Sequence, residues 1–166
     1  QPVLGICIGV QLLCQSSEEG DTACIGIFDN RVRKFDTLFA EAGILLPDAT
    51  GTAAPLSDAG SCSARQADVP ADAAILRPAG RLKIPHMGWN SVENLRSGLF
   101  TGIDQGAYVY YVHSFAPEVN ADTIATTTYG VPFSAAIRKD NFYGTQFHPE
   151  KSAAIGAQIL QNFLTL

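Results

Sequence analysis

Phe142-Tyr-Gly-Thr-Gln-Phe-His-Pro-Glu150 is an apolar run that ends on a histidine and a carboxylate two residues apart. Pro149 fixes its own backbone φ and keeps His148 out of the helical region, so a strand predicted over the run stays extended as far as the histidine. Alternate residues of an extended chain point the same way, which predicts that His148 and Glu150 share a face. A histidine held by a carboxylate is the base half of a nucleophilic triad, in which the acid fixes the imidazole tautomer and stabilises the imidazolium. A solvated turn can carry the same two residues. A nucleophile decides between the readings.

Gly5-Ile-Cys7-Ile-Gly9 follows the short apolar run Pro2–Ile6, which reads as a strand buried on both faces. A nucleophile with a glycine two residues to either side is an elbow pattern: a sharp strand-to-helix turn exposes the reactive atom, and the glycines avoid clashes. Val10–Cys14 continues as helix, so Cys7 is expected at a helix N-terminus, where the dipole lowers a thiol's pKa. Cys14 and Cys24 read as buried thiols in the scaffold, and Cys62 as exposed.

The chain has 166 residues and 46% apolar content, enough for one domain with a substantial core. A net charge of −5, with 11 scattered Lys and Arg, argues against nucleic acid or an anionic membrane as partner. No run has membrane-spanning length. The four cysteines form no C-x-x-C pair and have no histidine at zinc-finger spacing, so no metal is expected, and no cofactor is implied. The apolar Val3–Val10 stretch lacks a basic flank, so the thiols read as reduced and the chain as cytoplasmic.

Leu4–Leu12 and Gln146–Ser152 together resemble the class I, triad-type glutamine amidotransferases. The resemblance implies that Cys7 attacks the side-chain amide of L-glutamine, His148 moves protons, Glu150 orients His148, and the backbone N–H of Ile8 holds the oxyanion. It assigns Gln11 and Glu19 to binding glutamine, although spacing alone would make both surface residues. Val112-His-Ser-Phe115 matches the segment bordering bound glutamine, which brings in His113, Ser114 and Phe115. Pro85-His-Met-Gly-Trp-Asn90 narrows the resemblance to glutaminase subunits of imidazole glycerol phosphate synthases. In those enzymes Pro85, His86, Met87, Trp89, Asn90 and Lys151 would lie at the contact with a TIM-barrel cyclase subunit, which takes up the ammonia for histidine biosynthesis. Read as bare residues, Met87 and Trp89 would fill core and His86 would cap a turn. The glutaminase subunit of another amidotransferase, a related peptidase or a γ-glutamyl hydrolase would carry the same triad, and a non-catalytic interaction subunit or inactive fragment is a third class.

The fold expected is α/β: a mixed, mostly parallel sheet with flanking helices, like the flavodoxin-like three-layer fold of the family, with the site at the strands' carboxyl ends. Strands are predicted over Ala23–Phe28, Arg31–Phe35, Ala107–Phe115, Thr123–Tyr129 and Phe133–Arg138, with turns at Gly130 and Asp140-Asn141. Ser152 is expected to cap a closing helix that packs through Ile155, Ile159, Leu160, Phe163 and Leu164. Residues 1–166 then form one amidotransferase domain. Residues 40–80 hold four of the nine prolines and no aromatic residue, and read as a flexible insertion. The chain opens on Gln1-Pro2 and runs straight into the elbow strand, whereas family members carry a Gly-rich oxyanion loop upstream. The expectation is a domain incomplete at its N-terminus and a poor glutaminase by itself.

Overall fold

The computed structural model describes residues 1–44, 46 and 82–166. The insertion expected at 40–80 lies almost wholly outside the described residues, as does Cys62. Among the described residues ten strands and three α-helices follow in the order β1 (Val3–Ile6), α1 (Ile8–Leu13), β2 (Ser16–Ser17), β3 (Thr22–Ala23), β4 (Arg31–Lys34), α2 (Phe35–Glu41), β5 (His86–Val92), β6 (Ala107–His113), β7 (Phe115–Pro117), β8 (Thr123–Tyr129), β9 (Val131–Lys139), β10 (Phe142–Thr145) and α3 (Ala153–Leu164).

The strands form two four-stranded sheets, β1-β10-β9-β8 and β3-β2-β4-β7, and a β5-β6 pair. The expected mixed α/β architecture is present. Its pairing is less parallel than anticipated: among the described strands β1/β10 and β2/β4 run parallel, and the other neighbours are antiparallel. The reason lies in the connections. Gly130 alone, at φ 69°, turns β8 into β9, and Asp140-Asn141 turns β9 into β10. Such short links permit only antiparallel neighbours. The chain between Ala23 and Phe28 is mostly irregular instead of extended, which leaves Cys24 half-buried while Cys14 is buried.

Phe133–Ile137 at the centre of β9 is buried throughout. The main core gathers Phe35, Phe39, Val109, Tyr111, Phe133, Phe147 and Ile159; a second, smaller core of Val10, Cys14, Phe28, Val32 and Ile137 lies beneath α1. Helix α1 reaches the sheet through glycine. A Cβ at Gly5 would stand 2.7 Å from the Gly9 carbonyl carbon, and one at its register partner Gly144 would collide with Val10. Gly9 faces open space, so of the two elbow glycines only Gly5 is required by packing.

Strand β1 is not buried on both faces. It pairs with β10 alone among the described strands, and Val3 is 41% exposed. An apolar run specifies a strand but not its rank in the sheet. Helix α3 packs through Ile159 as anticipated, but Leu164 in its last turn is 76% exposed. Arg33 ties the β3-β2-β4-β7 sheet to α2: its guanidinium bonds Glu118 at 2.7 Å, Glu41 at 2.6 Å and Glu18, and these bonds hold it firmly protonated. Among the described residues no helix is long and apolar enough to cross a membrane.

Candidate active site

Cys7 stands between β1 and α1 at φ 51°, ψ −110°, a conformation that a non-glycine residue adopts only when its surroundings impose it. Its N–H donates to Thr145 O at 2.8 Å and its carbonyl accepts from Gln11 N, so the end of β10 and the first turn of α1 hold it from both sides. This is the elbow anticipated from Gly5–Gly9. The thiol's acidity is not as anticipated. Burial, the largest influence, pushes the Cys7 pKa up; the Ile8 N–H pulls it down, Glu150 and Glu19 raise it, and Lys151 lowers it. A six-residue helix is too short for its dipole to outweigh desolvation. Cys7 therefore rests as a thiol and needs a base.

His148, expected as that base, sits past the end of β10. The His148–Glu150 contact forms, but through a turn and not an extended strand: Pro149–Lys151 is one turn of 3₁₀ helix, which folds the carboxylate back onto the ring. His148 Nδ1 lies 2.7 Å from Glu150 Oε1. The carboxylate can only accept, so Nδ1 carries a proton, and in the neutral ring Nε2 is then the acceptor. Nε2 is buried and has no hydrogen-bond partner among the described residues. The turn is strapped to β6 from two directions: His148 N donates to Tyr110 O at 2.9 Å, and Ser152 Oγ accepts from Tyr110 N and donates to His148 O. Ser152 thus makes no side-chain cap on α3, since its hydroxyl is engaged in holding His148.

The residues assigned to glutamine lie in unequal environments. Gln11 is buried, not on the surface, and its Nε2 donates to Phe115 O at 3.1 Å and Gln146 Oε1 at 2.9 Å. Glu19 is exposed in the 3₁₀ turn Glu19–Asp21, although its charge reaches Cys7. Ser114 and Phe115 are half-buried where β6 passes into β7.

His113 is buried at the end of β6, directly opposite His86 on β5. Its Nδ1 lies 2.8 Å from Phe115 O, which can only accept, so His113 Nε2 must accept from His86 Nδ1, 2.9 Å away. Burial lowers His113 to about 4, with Phe115 O opposing and His148 adding to the depression. Burial and then His113 lower His86 to about 3. Both rings are neutral near pH 7.

Among the interface candidates, Pro85 and Met87 are exposed, and Trp89 and Asn90 are half-buried, Trp89 lying edge-on to Tyr110 with centroids 6.0 Å apart. Lys151 is exposed beside Glu150. His86 departs from this set. It is 3% exposed and stacks on Tyr129 at 3.9 Å, because alternation along β5 turns it inward while Met87 faces out.

Sequence reasoning missed Gln146 and Ser152 as members of the site. Gln146 is fully buried, accepts from Gln11 and directs Nε2 at Cys7 Sγ, 3.8 Å away. Its place two residues before His148 was the available signal, since both belong to the same extended approach.

A family profile described as "Glutamine amidotransferase class-I" matches residues 1–166. Relatives named imidazole glycerol phosphate synthase subunit HisH are 42% identical in Bacteroides fragilis, 42% in Escherichia coli K12 and 41% in Bacteroides thetaiotaomicron, each match covering 100% of this chain and 64% of the relative. The chain thus spans 64% of the length of these curated relatives. A crystal structure of a putative GMP synthase protein from Thermoplasma acidophilum is similar in fold, with a TM-score of 0.53 at 18% identity, covering 99% of this chain and 56% of that one.

Proposed function

Because the chain belongs to the class-I glutamine amidotransferase family, we propose that it is a glutaminase, hydrolysing L-glutamine to glutamate and ammonia with Cys7, His148 and Glu150. The observation that carries this reading is the His148 ring itself: Nδ1 is held by Glu150 at 2.7 Å and Nε2 is buried with a free lone pair. That lone pair takes the thiol proton, and the sulfur then bonds to the amide carbon of glutamine as the carbonyl electrons move onto oxygen. The N–H of Ile8, beside the sulfur, is the donor available to that oxyanion. Collapse breaks the C–N bond while His148 delivers its proton, so ammonia leaves and a glutamyl thioester remains. Water then adds to the thioester, giving a proton to His148. The C–S bond breaks, glutamate departs, and the thiol recovers that proton.

The ammonia passes to a TIM-barrel cyclase subunit in the cytoplasm, in the synthesis of imidazole glycerol phosphate. This is supported by the names of the relatives and by the exposed Pro85, Met87 and Lys151, with Trp89 half-buried nearby. Ammonia release from glutamine, with and without that partner, tests the reading in the wild type and in Cys7→Ala. The substitution abolishes release while Cys14→Ala does not, because burial pushes the Cys14 thiol up to about 12 and keeps it inert. Equal loss in both variants refutes the assignment, and turnover of γ-glutamyl peptides in preference to glutamine redirects it to a hydrolase.

A further inference from the structure

Gln146 lies on β10's continuation, 139 residues from the nucleophile in sequence, with its side chain fully buried. Both ends of its amide are engaged. Oε1 accepts from Gln11 Nε2 at 2.9 Å and Nε2 points at Cys7 Sγ at 3.8 Å, within reach of a bond to sulfur. Its backbone N–H, donating to Ala135 O at 2.8 Å, fixes the residue to the central strand β9. The other side-chain donor, Gln11 Nε2, has its second bond to Phe115 O, which also accepts from His113.

We propose that Gln146 is a positioning residue of this site, holding the sulfur of Cys7 by one end of its amide and the side chain of Gln11 by the other. The proposal rests on the glutaminase reading for its significance, but the hold itself is a property of the protein without substrate. A thiol has one proton to donate, and the acceptor it has among the described residues is Val112 O at 4.0 Å, a long contact. A thiolate needs donors. Gln146 Nε2 is the side-chain donor directed at this sulfur among the described residues, and the Ile8 N–H is its backbone companion. Gln146 therefore favours the ionised sulfur, against Glu150 and Glu19, which oppose it, and alongside Lys151, with His148 as the base that takes the proton. Because Oε1 is tied to Gln11, the amide cannot rotate away from the sulfur without breaking that bond. The Gln11 side chain and the nucleophile are thus oriented by one group.

Two measurements on the intact protein test this. In the wild type, the side-chain amide resonance of Gln146, assigned by its disappearance in Gln146→Met, shifts with pH along the same curve as the alkylation of Cys7 by iodoacetamide, read by mass spectrometry of the Cys7 peptide. In folded Gln146→Met the midpoint of that alkylation curve rises by about one pH unit, roughly a tenfold loss of thiolate at neutral pH, the scale of one modest bond to a charged group. Gln146→Glu moves it further, since a carboxylate adds repulsion and cannot donate. A wild-type amide signal that ignores the thiol titration, or a folded Gln146→Met with an unmoved midpoint, overturns the proposal. If the variants do not fold, the amide is assigned through its bonds to the Gln146 backbone by triple-resonance spectra, and the wild-type titration decides alone. A protein that shows the coupled titration yet releases no ammonia from glutamine even with the cyclase subunit present refutes the glutaminase reading and leaves the role of Gln146 supported.

Discussion

His148 and His86 each have a partner within 3 Å of Nδ1, and there the likeness ends. His148 meets a carboxylate at 2.7 Å, and its Nε2 is left with a free lone pair. His86 meets another imidazole at 2.9 Å, and its Nε2 has Asn90 Nδ2 at 3.4 Å. His113 closes the second pair with Phe115 O. One pair is an open circuit with a charged end; the other is a closed circuit of neutral groups under Phe35, Tyr111 and Phe133. On the proposed function, the difference separates a base from a structural element. What matters is whether a nitrogen is left over and whether a charge waits to stabilise the imidazolium.

The largest effect follows from the open nitrogen. His148→Ala removes the group that takes and returns the proton, and glutamine hydrolysis falls by a factor on the order of 10⁴ or more with the fold retained. Steady-state ammonia release checks it. Comparable rates in wild type and variant would erase the distinction between the two pairs. Glu150→Gln keeps the ring's neighbour but loses its charge, so the drop is smaller than that of His148→Ala. The order of the two losses is the sharper check, and a Glu150→Gln defect exceeding that of His148→Ala would give the carboxylate a role beyond orientation.

The two pairs were also unequally legible in the sequence. Cys7, His148 and Glu150 lie in short segments whose residue order fixes their local geometry, and all three were read there; the 3₁₀ turn after Pro149 changed only the path by which Glu150 reaches the ring. The strands β8 and β9 and their Gly130 turn were equally plain, being β-branched runs around a residue suited to positive φ. What escaped depends on register between distant segments. His86 faces His113 only because β5 and β6 pair in one particular alignment, and Gln146 reaches Gln11 only when β10 lies beside β1. The acidity of Cys7 escaped for another reason: a helix start was visible, but the burial that outweighs it was not. Likewise an apolar Pro2–Ile6 run could not reveal that β1 pairs on one side alone among the described strands.

The closed circuit makes its own prediction. His86→Phe keeps an aromatic ring in the stack but leaves His113 Nε2 buried with no donor, which costs about 1–3 kcal/mol of stability, the penalty of one orphaned polar group. Urea unfolding monitored by fluorescence measures it. No loss of stability would mean that the His86–His113 bond contributes nothing beyond shape.

The smallest effect concerns acid. His86 and His113 are held below the ordinary histidine range, to about 3 and about 4, chiefly by burial. In the folded protein both are neutral at pH 6, whereas in the unfolded chain each titrates near its ordinary value of about 6.5. The unfolded state therefore binds more protons, and stability rises with pH across this window. The contribution is fully present above about pH 7 and is lost as pH falls through the unfolded value toward the folded ones. Between pH 7 and pH 6 the two rings together cost roughly 1 kcal/mol, a range in which few carboxylates change charge. Unfolding free energies at the two pH values measure the slope, and a folded His86→Phe/His113→Met protein tests its source. If the slope survives that double substitution undiminished, the acid sensitivity belongs elsewhere, and the closed pair is no more coupled to protons than the phenylalanines around it.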